Sequence, residues 1–126
     1  MSEQLKCSIW EEQVLKKFSS PIDDDVFVIP TSILTTFGPT TATFLTSLIN
    51  KYRSLRESGA INEGDQFPYL YTELREKTAL SDHQIRTCKL KLIQRGLLCT
   101  EKRSFPQREY YQINLKRLTM KYLMTE

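Results

Sequence analysis

In residues 82–95, DHQIRTCKLKLIQR, basic, amide and hydroxyl side chains recur at spacings that put them on one side of a helix. Taking about 100° per residue, Ile85, Cys88 and Leu92 form a narrow apolar stripe, and His83, Arg86, Thr87, Leu90, Lys91 and Gln94 fall opposite it. Arginine and lysine reach guanine, amides suit adenine, and threonine meets a base edge or the thymine methyl. His83, Arg86, Thr87, Lys91 and Gln94 are therefore candidates for base contacts. Leu90 would touch a thymine methyl or a neighbouring protein, or be an ordinary exposed leucine. A solvated basic face is the bland alternative.

The same residues do not suggest catalysis. His83 is the only histidine, and no orienting partner lies near it in sequence for a Ser-His-Asp or Cys-His arrangement. Cys7, Cys88 and Cys99 are an odd set without a C-x-x-C, which argues against a disulfide framework and fits a reducing cytoplasm. Cysteines and one histidine so scattered do not offer the short spacings of a zinc site. Asp23, Asp24 and Asp25 read as a solvated acidic turn rather than a cation site. Glycines at 38, 59, 64 and 96 are too dispersed for a phosphate loop. No enzyme activity, cofactor or metal is expected.

Charge supports a polyanion partner. The net charge is only +3, yet residues 1–25 hold three lysines against six acids. From Arg86 to Lys121 there are ten basic residues against Glu101 and Glu109. Such asymmetry is the footprint of a surface that meets nucleic acid. With 126 residues, 40% hydrophobic and 26% charged, the chain has the size and composition of an ordinary globular domain. No apolar run is long enough for a membrane span, and the N-terminus lacks a secretory pattern, so no membrane partner is expected.

The elements that would position these residues follow from local patterns. Ile9, Trp10, Val14 and Phe18 predict a short amphipathic helix over 8–18, in an acidic extension covering 1–25. The stretch VFVIP (26–30) predicts a strand that opens the main domain, 26–126, and TSILTTF a brief helix. Phe44, Leu45, Leu48, Ile49, Tyr52 and Leu55 predict a long helix over 40–58, with Pro39 near its start and Gly59 after its end. An aromatic extended stretch, FPYLY, leads to a helix over about 71–79 that buries Leu70, Leu74 and Ala79. A tight turn leads to Ser81, which caps the next helix, and Gly96 ends it. Residues 97–103 and 108–114 predict a hairpin, and a last helix turns Leu115, Leu118, Tyr122 and Leu123 inward. Of Tyr110, Tyr111 and Ile113, the pattern does not say which tyrosine faces the core.

Helix, tight turn, helix and hairpin give an α+β, mainly helical class with the order of a winged helix-turn-helix and flanking helices. A recognition helix would enter the major groove while Lys102, Arg103 and Arg108 of the wing, with Arg95, meet phosphates. From Phe27 to about Leu118 the chain resembles the N-terminal winged-helix domains of plasmid and phage replication initiators and replisome-organiser proteins. The resemblance rests on Phe27, Ile29 and Pro30, the helix TATFLTSLINKYRS, FPYLYTEL, the LS…L…RGLL pattern and YYQIN. It covers roughly three quarters of the chain, mostly at core and turn positions.

The resemblance implies sequence-specific binding of double-stranded DNA in replication initiation or its control in a plasmid, phage or mobile element. Longer initiators carry a further C-terminal domain, so a compact accessory or regulatory DNA-binder is the matching expectation. A transcription regulator of the same fold is the alternative. A protein–protein interaction module is the alternative of another class, and a homodimer or a replication or transcription partner is compatible with each.

Overall fold

The computed structural model describes residues 8–18, 27–104 and 107–123. Cys7, the acidic run 23–25 and Phe105 and Pro106 at the expected hairpin tip lie outside the described residues. The described chain is α+β, with helices packed on a small antiparallel sheet.

Helix α1, Ile9–Lys17, starts at Ser8, whose hydroxyl accepts the Glu11 amide. Val14 and Phe18 are fully buried as expected, but Trp10 is only half-buried and Ile9 is 57% exposed. Glu11 takes the inward place instead, because Arg56 waits there to pair with it.

Of the expected strand over 26–30, Val26 lies outside the described residues and the rest does not form a strand. Residues 27–30 have no regular structure, and among the described residues the strands pair only with one another, in the order β1-β3-β2. The two helices expected next are one element, α2, Thr31–Glu57, bent at Gly38. Gly38 has φ 86° and ψ 167°, a left-handed-side geometry open to glycine, and Pro39 has no N–H to donate to the preceding turn. Past the bend, Phe44, Leu45, Leu48, Ile49 and Tyr52 line the centre of the core.

Strand β1 is only Phe67–Pro68, drawn from the aromatic stretch. Helix α3, Tyr71–Thr78, buries Leu74 and Thr78. Leu70 is 52% exposed and Ala79 is exposed too, contrary to expectation. Ala79 is the left-handed cap of α3, φ 59°, and turns the chain so that Leu80 rather than Ala79 enters the core.

Helix α4, Asp82–Gln94, begins with a capping box in which Ser81 and Gln84 bond each other's backbone amides. Ile85, Cys88 and Leu92 are buried as the stripe required. Gly96, φ 74°, then turns the chain into β2, Leu98–Ser104, which pairs with β3, Gln107–Ile113. The sheet order is β1-β3-β2, with Phe67 opposite Tyr111 and Pro68 opposite Tyr110. Helix α5, Leu115–Leu118, runs on as a π-helical turn, Thr119–Leu123, that packs against α1. Leu115, Leu118 and Leu123 are buried there and Tyr122 half-buried.

Among the described residues no helix is long and apolar enough to cross a membrane.

Candidate nucleic-acid interface

The apolar stripe of α4 fixes the helix's rotation. With Ile85, Cys88 and Leu92 at no more than 1% exposure, the opposite side must face out. His83, Arg86, Thr87, Leu90 and Gln94 are exposed there, and Lys91 is half-buried at the margin. Cys88 accepts a hydrogen bond from the Thr41 hydroxyl at 3.6 Å, and burial pushes its thiol pKa up, so it is an inert core group.

This outward face has two different edges. His83, Thr87 and Lys91 border a cleft of about 340 Å³ whose far wall is the bend of α2, Phe37 to Thr41. Along the other edge run Arg86, Leu90 and Ile93, which flank Lys89 at helical spacing. Lys89 reaches the hairpin: its Nζ lies 2.6 Å from Glu109 Oε1 and 5.7 Å from the centre of the Tyr111 ring. The Tyr111 hydroxyl donates to the same carboxylate oxygen at 3.3 Å. Burial pushes the Tyr111 phenol pKa well up, and the neighbouring Glu109 charge adds to that rise.

The strand register divides the wing candidates. Side chains alternate between the two faces of a strand. Leu98, Thr100 and Lys102 share one face with Glu109, Tyr111 and Ile113, and the burial of Leu98, Tyr111 and Ile113 marks it as the inner one. Lys102 therefore projects on the face that Lys89 of α4 also meets. Arg103 and Arg108 pair across the strands on the outer face. Arg103 is held within the protein, 4.0 Å from the centre of the Tyr110 ring, with bonds of 2.5 Å to Gln66 and 3.5 Å to Glu101. Arg95 is occupied as well: it lies over Phe37 at 5.2 Å and donates to the Tyr122 hydroxyl at 3.3 Å. Arg86, Lys91, Lys102 and Arg108 form no ion pair among the described residues.

Two parts of this surface were missed in sequence. The Lys89–Glu109 bridge joins α4 to the hairpin, and its only sequence trace is an isolated acid within a basic stretch. At the α3–α4 corner, Asp82 accepts from the Tyr71 phenol and lies 3.4 Å from Arg75.

Among the described residues no group of three His, Cys, Asp or Glu side chains could hold a metal ion. Cys88 and Cys99 are free. Compared with known proteins, the chain matches no family model, no curated protein and no solved structure.

Proposed function

We propose that the chain is a winged helix-turn-helix protein that binds double-stranded DNA. Helix α4 would read the major groove, and the β2–β3 hairpin would lie along the adjacent backbone. The observation that carries this reading is the outward face of α4. Five hydrogen-bonding side chains, His83, Arg86, Thr87, Lys91 and Gln94, stand on one helix side, and the core stripe on the other leaves that side free to enter a groove. The element order α3, α4, β2, β3 and the charges of Lys102 and Arg108, which form no ion pair among the described residues, support it. The earlier resemblance supports a role in replication initiation or its control on a plasmid, phage or mobile element. Transcription regulation would use the same surface. Neither role asks catalysis, metal or cofactor of this chain, and a two-fold dimer would be mirrored in a two-fold site.

A second reading has one specific observation in its favour. Leu90 is 55% exposed and Ile93 40% exposed on α4, and an apolar pair at that place also suits a protein partner.

Selection from random duplex DNA across a salt series separates the two readings. Enrichment of one motif, with affinity falling as salt rises, is the expected result. Binding without enrichment would leave a non-specific DNA-binder. No binding at low salt would overturn the DNA reading and leave α4 as a protein-facing surface.

A further inference from the structure

The corner between α3 and α4 carries a cluster whose geometry asks for an explanation. One oxygen of Asp82 accepts from the Tyr71 phenol and lies 3.4 Å from Arg75 Nη1. Arg86 stands one turn beyond Asp82 on the same side of α4. The bond to Asp82 raises the Tyr71 pKa, and the nearby Arg75 charge opposes that rise. The cluster is open to solvent: the Arg75 and Asp82 side chains keep 50% and 60% of their exposure, and Tyr71 keeps 41%.

An ion pair this exposed adds little to stability, because water screens it and competes for its donors. The two donors, Tyr71 and Arg75, are therefore exchangeable. A phenol and a guanidinium group suit the oxygens of a phosphodiester as well as those of a carboxylate. Arg86 also belongs to the α4 face already described, so the cluster continues that face onto α3.

Resting on the DNA reading, we infer that Tyr71 and Arg75 form a binding corner for a backbone phosphodiester beside the base-reading Arg86, and that Asp82 fills it in the free protein as an internal competitor. Binding exchanges one anion for another. The Asp82 side chain rotates away, and a phosphate oxygen takes over the donors. No base edge is involved, so the corner sets register and non-specific affinity rather than sequence preference. The acid at residue 82 remains useful without DNA, since it lies in the positive first turn of α4.

The test is binding to a mixed-sequence duplex across a salt series. It compares the parent, Asp82→Asn, Tyr71→Phe/Arg75→Gln and the triple variant. Glu76→Gln, an exposed acid of α3 outside the cluster, serves as the control for overall charge. Ser81 keeps its cap in every variant, and helicity by circular dichroism verifies folding. Asp82→Asn should tighten binding about fivefold, against less than about twofold for Glu76→Gln. Tyr71→Phe/Arg75→Gln should weaken it by a similar factor and flatten the salt slope by about 1. In that background the gain from Asp82→Asn should fall to the Glu76→Gln level.

Weaker binding by Asp82→Asn, or an equal gain in both backgrounds, would overturn the corner while leaving the DNA reading intact. A parent that fails to bind duplex at low salt would remove both.

Discussion

Arg56 and Arg86 are the same side chain put to opposite uses. Arg56 lies in the interior with 5% exposure, and its Nε and Nη2 each reach a different oxygen of fully buried Glu11 at 2.7 Å. Tyr52 donates to the same carboxylate and accepts the Gly64 amide at 3.0 Å. This arrangement ties α1 to the end of α2 and to the loop before β1, and it satisfies the charges it buries. Arg86 sits exposed on α4 and forms no ion pair among the described residues. Charge closed on itself holds parts of a fold together. Charge left open costs little in water and remains available to a polyanion.

The comparison breaks first at Glu11. Glu11→Ala would remove the carboxylate that Arg56 and Tyr52 both reach in the interior, and should destabilise the fold by about 3–5 kcal/mol, measured by urea unfolding. The alkaline limb of stability tests the same arrangement. Burial first, then the bond to Glu11, pushes the Tyr52 phenol well above its ordinary value, so the folded state holds that proton more tightly than the unfolded state. This stabilisation is complete below about pH 10 and declines as pH rises toward the folded value. Tyr52→Phe should lose less stability than the parent between neutral pH and that limb. An identical alkaline profile would remove Tyr52 from the account.

Arg86→Ala should do the reverse: leave unfolding unchanged and weaken DNA binding by about 1–3 kcal/mol, with relaxed preference at one base position. If it destabilised the fold as well, the contrast between closed and open charge would fail at its exposed end. Lys89 lies between the extremes, with 19% of its side chain exposed against 17% for Glu109. Lys89→Ala should cost about 1–2 kcal/mol in unfolding, because among the described residues Glu109 then keeps only the Tyr111 hydroxyl. It should also weaken DNA binding by freeing the hairpin from α4. A loss of stability without loss of affinity would make the bridge a matter of the fold alone.

The two uses of charge were not equally legible in the sequence. Helix α4 was readable because its signals are local: the Ser81 cap, a stripe at 3.6-residue spacing and the left-handed turn at Gly96. The hairpin was readable for the same reason. The Glu11–Arg56 pair joins residues 45 apart, and a helical pattern scores glutamate as outward-facing whatever its partner. Phe27 to Ile29 had strand composition, but β propensity is realised only against a neighbour, and β3 pairs with Phe67–Pro68 instead. Ala79 escapes the helical pattern because it takes a positive φ that is rare outside glycine. For the wing, composition located the charges, whereas register and partners decide which of them stay open.

That last distinction gives the smallest and most discriminating expectation. Lys102, Arg103 and Arg108 look equivalent as sequence. In the fold, Arg103 is stacked on Tyr110 and bonded to Gln66 and Glu101, whereas Lys102 and Arg108 are exposed and form no ion pair among the described residues. A cation that already has protein partners gives up part of that arrangement when it meets a phosphate, so it releases fewer counterions on binding. Lys102→Ala/Arg108→Ala should therefore flatten the slope of log affinity against log salt by about 2, and Arg103→Ala by well under 1. Arg103→Ala should instead loosen the outer face of the hairpin, detectable as faster amide exchange in β2. If the three positions contributed equally to the salt slope, the intramolecular partners of Arg103 would not compete with DNA. The contrast between closed and open charge would then stop at the protein interior.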